Sequence, residues 1–216
     1  MAYFPFILLV FLLGLGTLPG QIPDPADPYY HFSMGQMYEA AKQYPAAISE
    51  FTKAVHFDPK NAQLRVAIAE SLIRMKEIQR AIEESTKAVE IDPKNSSAHY
   101  LLGEIYMNSR RDSPGIMRLR AIAEYRKTIE LDPHHHKALF YLGQLQLEEG
   151  HYIDSIHTFQ KFLAIQPWVS RAYLGLAKAH LRLNEVDEAI RVLEQSLFYG
   201  EKDTENIKAL GDLYEH

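Results

Sequence analysis

The 216-residue chain carries a formal charge of -5, with 47% hydrophobic and 24% charged side chains, the make-up of a folded protein rather than a disordered one. The acidic balance argues against a nucleic-acid partner, which would require Lys and Arg concentrated to neutralise phosphates. The absence of cysteine excludes disulfides, thiolate zinc sites, iron–sulfur clusters, a Cys nucleophile and a Cys-linked lipid anchor.

From Met1 to Pro23 there is no charged side chain, and Phe4 to Leu18 is almost wholly apolar. Such a run has no polar face to meet solvent, so residues 1–20 read as a targeting segment. It is shorter than the roughly 20 residues of a membrane-spanning helix, and Gly14, Gly16, Pro19 and Gly20 close it, which favours a cleavable signal peptide. A membrane anchor is the alternative, because no Lys or Arg precedes the run and Leu18 stands where cleavage wants a small residue. In either case the body of the protein is expected outside the cytoplasm, periplasmic or secreted, or tethered to a membrane through residues 1–20. Residues 21–27 alternate prolines in an extended linker, and the folded part begins near Pro28.

From there an internal period emerges. Asp58-Pro59, Asp92-Pro93 and Asp132-Pro133 close apolar stretches, with Gln166-Pro167 in the equivalent place of a fourth. Alignment on these prolines superimposes Ala47, Ala81, Ala121, Ser155 and Ala189, each followed by isoleucine. A second small residue recurs at Gly35, Ala69, Gly103, Gly143 and Ala177, and again at Gly211, with steps of 34, 34, 40, 34 and 34 residues. Apolar positions spaced by three, four and seven mark amphipathic helices. Small residues let two antiparallel helices approach, large ones such as Phe51, Tyr125 and Phe159 fill the space beside them, and proline ends the second helix.

The pattern closely resembles the tetratricopeptide repeat family, over Pro28 to His216. The resemblance implies an all-α fold, a right-handed superhelical solenoid of helix-turn-helix repeats whose first helices line a concave groove. Residues 28–203 would form five repeats, the third with a six-residue insertion, and residues 204–216 an incomplete sixth repeat or capping helix. Departures are His31, Arg65 and Leu139, where an aromatic is expected early in the first helix, and Glu201 in place of a proline.

The family generally binds proteins or peptides, so the expected function is a noncatalytic interaction scaffold. Placed on the first helices, the groove positions are Tyr29, Phe32, Gln36, Val66, Glu70, Tyr100, Glu104, Lys137, Phe140, Tyr141, Gln144, Leu174 and Lys178. Phe32, Val66, Tyr100, Phe140, Tyr141 and Leu174 form an apolar stripe that serves equally as partner anchors or as packing between helices. Glu39, Glu70 and Glu104 flank its first half and Lys137, Arg171, Lys178 and Arg182 its second, which suits a partner of opposite polarity. The family's carboxylate clamp is missing: its Lys, Asn, Asn, Lys and Arg places hold Phe32, Gln36, Ala67, Ser97 and Leu101.

The insertion falls between Tyr106 and Ala121, where Ser113-Pro114 reads as the start of an early second helix. Arg110, Arg111, Arg118 and Arg120 make it the most basic part of the chain, either a solvated edge or a ledge for an acidic partner or anionic lipid head group. No metal site or cofactor is expected. His134-His135-His136 lies in a turn with no cluster to complete a coordination shell, and phosphate-binding glycine loops, His-Glu-x-x-His and Gly-x-Ser-x-Gly are absent. Two other readings stay open: the recognition region of a larger, possibly enzymatic, protein, and a self-associating envelope assembly factor.

Overall fold

The computed structural model describes residues 28–108, 114–199 and 203–215. The expected targeting segment and linker, together with Arg110, Arg111 and Ser113 of the insertion, lie outside the described residues. Those described are all helical: α1 (Pro28–Ala40), α2 (Tyr44–Phe57), α3 (Ala62–Arg74), α4 (Ile78–Ile91), α5 (Ser96–Asn108), α6 (Pro114–Leu131), α7 (His136–Glu148), α8 (Tyr152–Ile165), α9 (Ser170–Arg182), α10 (Val186–Tyr199) and α11 (Thr204–Tyr214). Each odd-numbered helix packs on the even-numbered helix that follows, and that helix packs on the first helix of the next unit. The result is a helical solenoid, because each pair leaves an apolar face that only its neighbour covers.

The turn inside a unit depends on one left-handed residue. Lys42, Lys76 and Asn184 take φ of 58°, 62° and 63°, and Gly150 takes 82°, all at the same place in their units. That geometry lets two amides reach back onto the preceding helix. Gln43 N–H donates to the Tyr38 carbonyl and Lys42 N–H to the Glu39 carbonyl, with the same bond pair at Glu77 and Lys76, His151 and Gly150, and Glu185 and Asn184. Carbonyls that a helix end leaves open are thereby satisfied. Between units, Asp92 and Asp132 accept from the Lys94 and His134 amides. Asn61, Asn95 and His135 then cap the next helix by accepting from the amides of Gln63, Ala98 and Ala138.

Core packing within a unit is a matched choice of sizes. A Cβ added at Gly35 would meet the Phe51 ring at 2.4 Å, one at Gly103 the Tyr125 ring at 2.7 Å, and one at Gly143 the Phe159 ring at 3.1 Å, so the backbone admits these rings only because no side chain stands there. The second and fifth units place Ala69 with Ser85 and Ala177 with Leu193, all buried. Where the small residue grows by a methyl group, its partner is no longer aromatic, as close packing at constant volume requires.

A second recurring couple stands at two of the departures from the family pattern, His31 and Arg65, and again at His99. His31 Nδ1 lies 2.7 Å from Glu50, Arg65 Nη1 2.8 Å from Glu84, and His99 Nδ1 2.7 Å from Glu124. Each joins the first helix of a unit to its second at equivalent positions. The fourth and fifth units have Leu139 with Thr158 and Tyr173 with Val192 there, all buried.

The third unit differs in length. α6 has 18 residues, against 14 in α2, α4, α8 and α10, so it begins about one turn before its counterparts. Arg118, directly after that extra turn, pairs with Glu149, and the Arg120 guanidinium lies 5.8 Å from the centroid of the Tyr106 ring. Two of the four insertion arginines are thus engaged within the chain.

Candidate functional site: a cleft between α5 and α7

Successive first helices touch directly at α3 and α5, at α7 and α9, and at α9 and α11, whereas α1 and α3 pack less closely, as do α5 and α7. A cleft of about 750 Å³ opens there. Its acidic side is Glu39 from α1, Glu70 from α3 and Glu104 from α5, with Arg74 among them. Its floor includes Ile73, Tyr100, Leu101, Phe140 and Tyr141, and His136, Lys137, Phe162, Gln166, Val169 and Arg171 form the far end. Rings fix the floor: Tyr100 lies 5.9 Å from Tyr125 and 4.6 Å from His135, Tyr141 6.0 Å from Tyr125, and Phe140 5.3 Å from Phe162, centroid to centroid.

Of the predicted groove residues, Glu70, Tyr100, Glu104, Lys137, Phe140 and Tyr141 come together in this cleft. Gln36 lies in an adjoining hollow with Glu39 and Arg74. Gln144 faces a separate hollow with Tyr106, Met107 and Arg118. Lys178 Nζ sits 3.9 Å from Glu205 of α11, and Tyr29 is exposed at the start of α1.

The apolar stripe needs a correction. Val66 is 0% exposed and Leu174 6%, so neither presents a surface to a partner. Their position in the repeat is the one that turns onto the second helix of the same unit, as Phe32 does on Phe51 at 5.9 Å and Phe140 on Phe159 at 6.2 Å. The stripe is foremost a packing seam. Only beside the gap between α5 and α7 do three of its members, Tyr100, Phe140 and Tyr141, also face the cleft. Conversely, Phe162, Gln166 and Val169 reach the cleft from α8 and the turn after it, and no register of the first helices points to them.

The cleft charges stand without ion pairs among the described residues. Elsewhere Arg65, Arg80, Lys87, Arg126 and Arg191 each meet a carboxylate. Glu39, Glu70, Arg74, Glu104, Lys137 and Arg171 form no ion pair among the described residues. Glu70 keeps contact with solvent, but the surrounding helices displace much of its water. That desolvation, with repulsion from Glu39 and Glu104, raises its pKa against the opposing charges of Arg74 and Lys137. Desolvation likewise raises the Glu39 carboxyl, opposed by the positive charge of Arg74. Burial and the neighbouring Glu104 carboxylate push the Tyr100 phenol up.

The histidine triplet separates into three environments. His134 is exposed. His135 Nδ1 accepts from the Ala138 amide as the cap of α7, and burial lowers its pKa. His136 lines the cleft. Among the described residues no group of three or more His, Asp or Glu side chains converges to hold a metal ion, and no helix is long and apolar enough to cross a membrane.

Three sequence models of the tetratricopeptide repeat match the chain, over residues 62–95, 124–157 and 146–211. The chain belongs to the tetratricopeptide repeat family, and its fold is that family's right-handed helical solenoid. No curated protein matches it. Among solved structures it is similar to the MamA protein, with a TM-score of 0.68 at 22% identity over 80% of this chain and 91% of that one. It is also similar to YrrB, described as a repeat protein of this family with an unusual peptide-binding site (TM-score 0.69, 14% identity, 86% and 93% covered). A third is TTC0263 of Thermus thermophilus, a thermophilic member (TM-score 0.57, 16% identity, 88% and 100% covered). At these identities the likeness shows the shared fold.

Proposed function

We propose that this protein is a noncatalytic scaffold that holds a segment of a protein partner along its first helices, with the main contact in the cleft between α5 and α7. The observation that carries the reading is the cleft itself: half-buried aromatic rings at its floor, flanked by charges that have no ion-pair partner among the described residues. Aromatic anchors in a concave site, with polar groups fixing orientation, are what a binding groove for a segment requires. Peptide binding by the similarly folded YrrB is a precedent for the architecture alone.

The test uses the full chain with a photoreactive side chain in place of Glu70, Lys137 or Glu83, the last exposed on α4. A peptide selected from a random library on the unmodified chain should crosslink at positions 70 and 137. Capture at position 83 alone would reject the groove.

We propose further that the scaffold works outside the cytoplasm, on the strength of the uncharged apolar run in residues 1–20. A reporter that is active only after export, fused to the C-terminus of the full chain, should be active in the native host. An inactive but stable fusion would reject export.

A further inference from the structure

On that groove reading, we infer that the partner segment carries charges of both signs: a Lys or Arg seated among Glu39, Glu70 and Glu104, and an Asp or Glu seated at Lys137 and Arg171, about four residues away along an extended chain.

The placement of the two sets follows from the helical register. Glu70 and Glu104 are the ninth residues of α3 and α5, and Lys137 and Arg171 are the second residues of α7 and α9. The acids therefore lie well along their helices. The bases lie in first turns, where free amide groups add to the positive potential. A segment satisfying both sets crosses the groove obliquely from α3 and α5 toward the start of α7.

Tyr100, Leu101 and Phe140 lie between the two sets on the cleft floor and offer a seat for an apolar side chain between the charges. Neighbouring first helices stand roughly 8–10 Å apart at their axes, the offset from ninth to second residue adds about 10 Å along them, and an extended chain advances about 3.3 Å per residue, so the diagonal spans about four residues. The fitting pattern is thus a basic residue, three intervening residues with at least one apolar, and an acidic residue.

Complementarity is the physical reason. The three carboxylates come from three successive units, and Glu39 and Glu104 both repel Glu70 between them in the series. Arg74 draws on Glu39 and Glu70 through space without pairing to either. An arriving cation relieves both the repulsion and the lost hydration, and the exposed Lys137 and Arg171 side chains supply the matching site for an anion. A segment with one sign of charge gains at one end and loses at the other.

The experiment measures binding of the full chain to synthetic nonapeptides with the cores Lys-Ala-Leu-Ala-Glu, Glu-Ala-Leu-Ala-Lys, Lys-Ala-Leu-Ala-Lys and Glu-Ala-Leu-Ala-Glu. At least one mixed-sign peptide should bind tenfold or more tighter than both single-sign peptides, with the advantage shrinking as salt is added. Lys137→Glu combined with Arg171→Glu, both at exposed positions, should shift the preference to Lys-Ala-Leu-Ala-Lys. Equal binding of all four, crosslinking at positions 70 and 137, would overturn the charge inference and leave the groove reading standing. Preferential binding of a single-sign peptide, or binding by none of the four, would also overturn it. Peptides that crosslink only at position 83 would remove both readings.

Discussion

His99 joins two parts of its unit at once: Nδ1 lies 2.7 Å from the Glu124 carboxylate, and Nε2 lies 3.2 Å from the Pro93 carbonyl. Both partners are acceptors, and only the doubly protonated ring donates to both. The same ring position is His31 facing Glu50 and Arg65 facing Glu84 in the preceding units. A family position that is usually aromatic here carries a basic side chain in three successive units, each matched by a glutamate on the second helix.

The Arg65–Glu84 couple is therefore expected to stabilise as a pair rather than residue by residue. Both side chains are mostly covered, at 22% and 16% exposure, so removing one strands the other. Glu84→Ala should cost about 1–3 kcal/mol, as for loss of a charged hydrogen-bond partner. Arg65→Leu with Glu84→Thr, copying the fourth unit, should cost less than the sum of the single changes. Urea unfolding of the four proteins measures the coupling, and additive losses would show that the two side chains act independently.

Acid should weaken the fold through these glutamates. Burial acts to raise the pKa of Glu50 and Glu84, but hydrogen bonds and positive charge from Lys53 and His31, and from Lys87 and Arg65, outweigh it and hold both below the ordinary 4.5. A carboxyl with a lowered folded pKa contributes its full stability above its unfolded value and loses it as pH falls through the folded one. The desolvated Glu39 and Glu70 act in the opposite sense, favouring the fold as pH falls through their raised values. The difference in unfolding free energy between wild type and Glu84→Gln should therefore be constant above neutral pH and shrink below about pH 4.5. A difference independent of pH would contradict the assigned sign.

Gly103 and Tyr125 are expected to be interchangeable only as a pair. A methyl group at Gly103 would stand 2.7 Å from the Tyr125 ring, and overpacking of this kind typically costs about 1–3 kcal/mol. Gly103→Ala should lower stability by that amount. Adding Tyr125→Leu, which reproduces the Ala177 and Leu193 couple of the fifth unit, should recover part of the loss. If the double variant is weaker than the sum of the single changes, the matched-size account of these units fails.

The repeat was legible in the chain because its period is set by local chemistry: small residues at fixed offsets, proline after the second helix and amphipathic spacing act within a unit, before any long-range contact forms. The turn geometry was less legible, since Lys42, Lys76 and Asn184 occupy left-handed backbone that glycine usually marks. The departures at His31 and Arg65 were visible as oddities, but Glu50 and Glu84 became their partners only once two helices were folded together.

The cleft lay between these cases. Register alone placed Glu70, Glu104 and Lys137 on the first helices, because polar residues on a helical face follow from its period. Register could not separate Tyr100 and Phe140, which face the cleft, from Val66 and Leu174, which do not, because all four occupy the same position in the repeat. The sequence by itself determined the family and the order of its helices. The looser approach of α5 to α7 decided where the first-helix face opens, and that spacing is a property of packing across units, together with Phe162 and Val169 from outside the first helices.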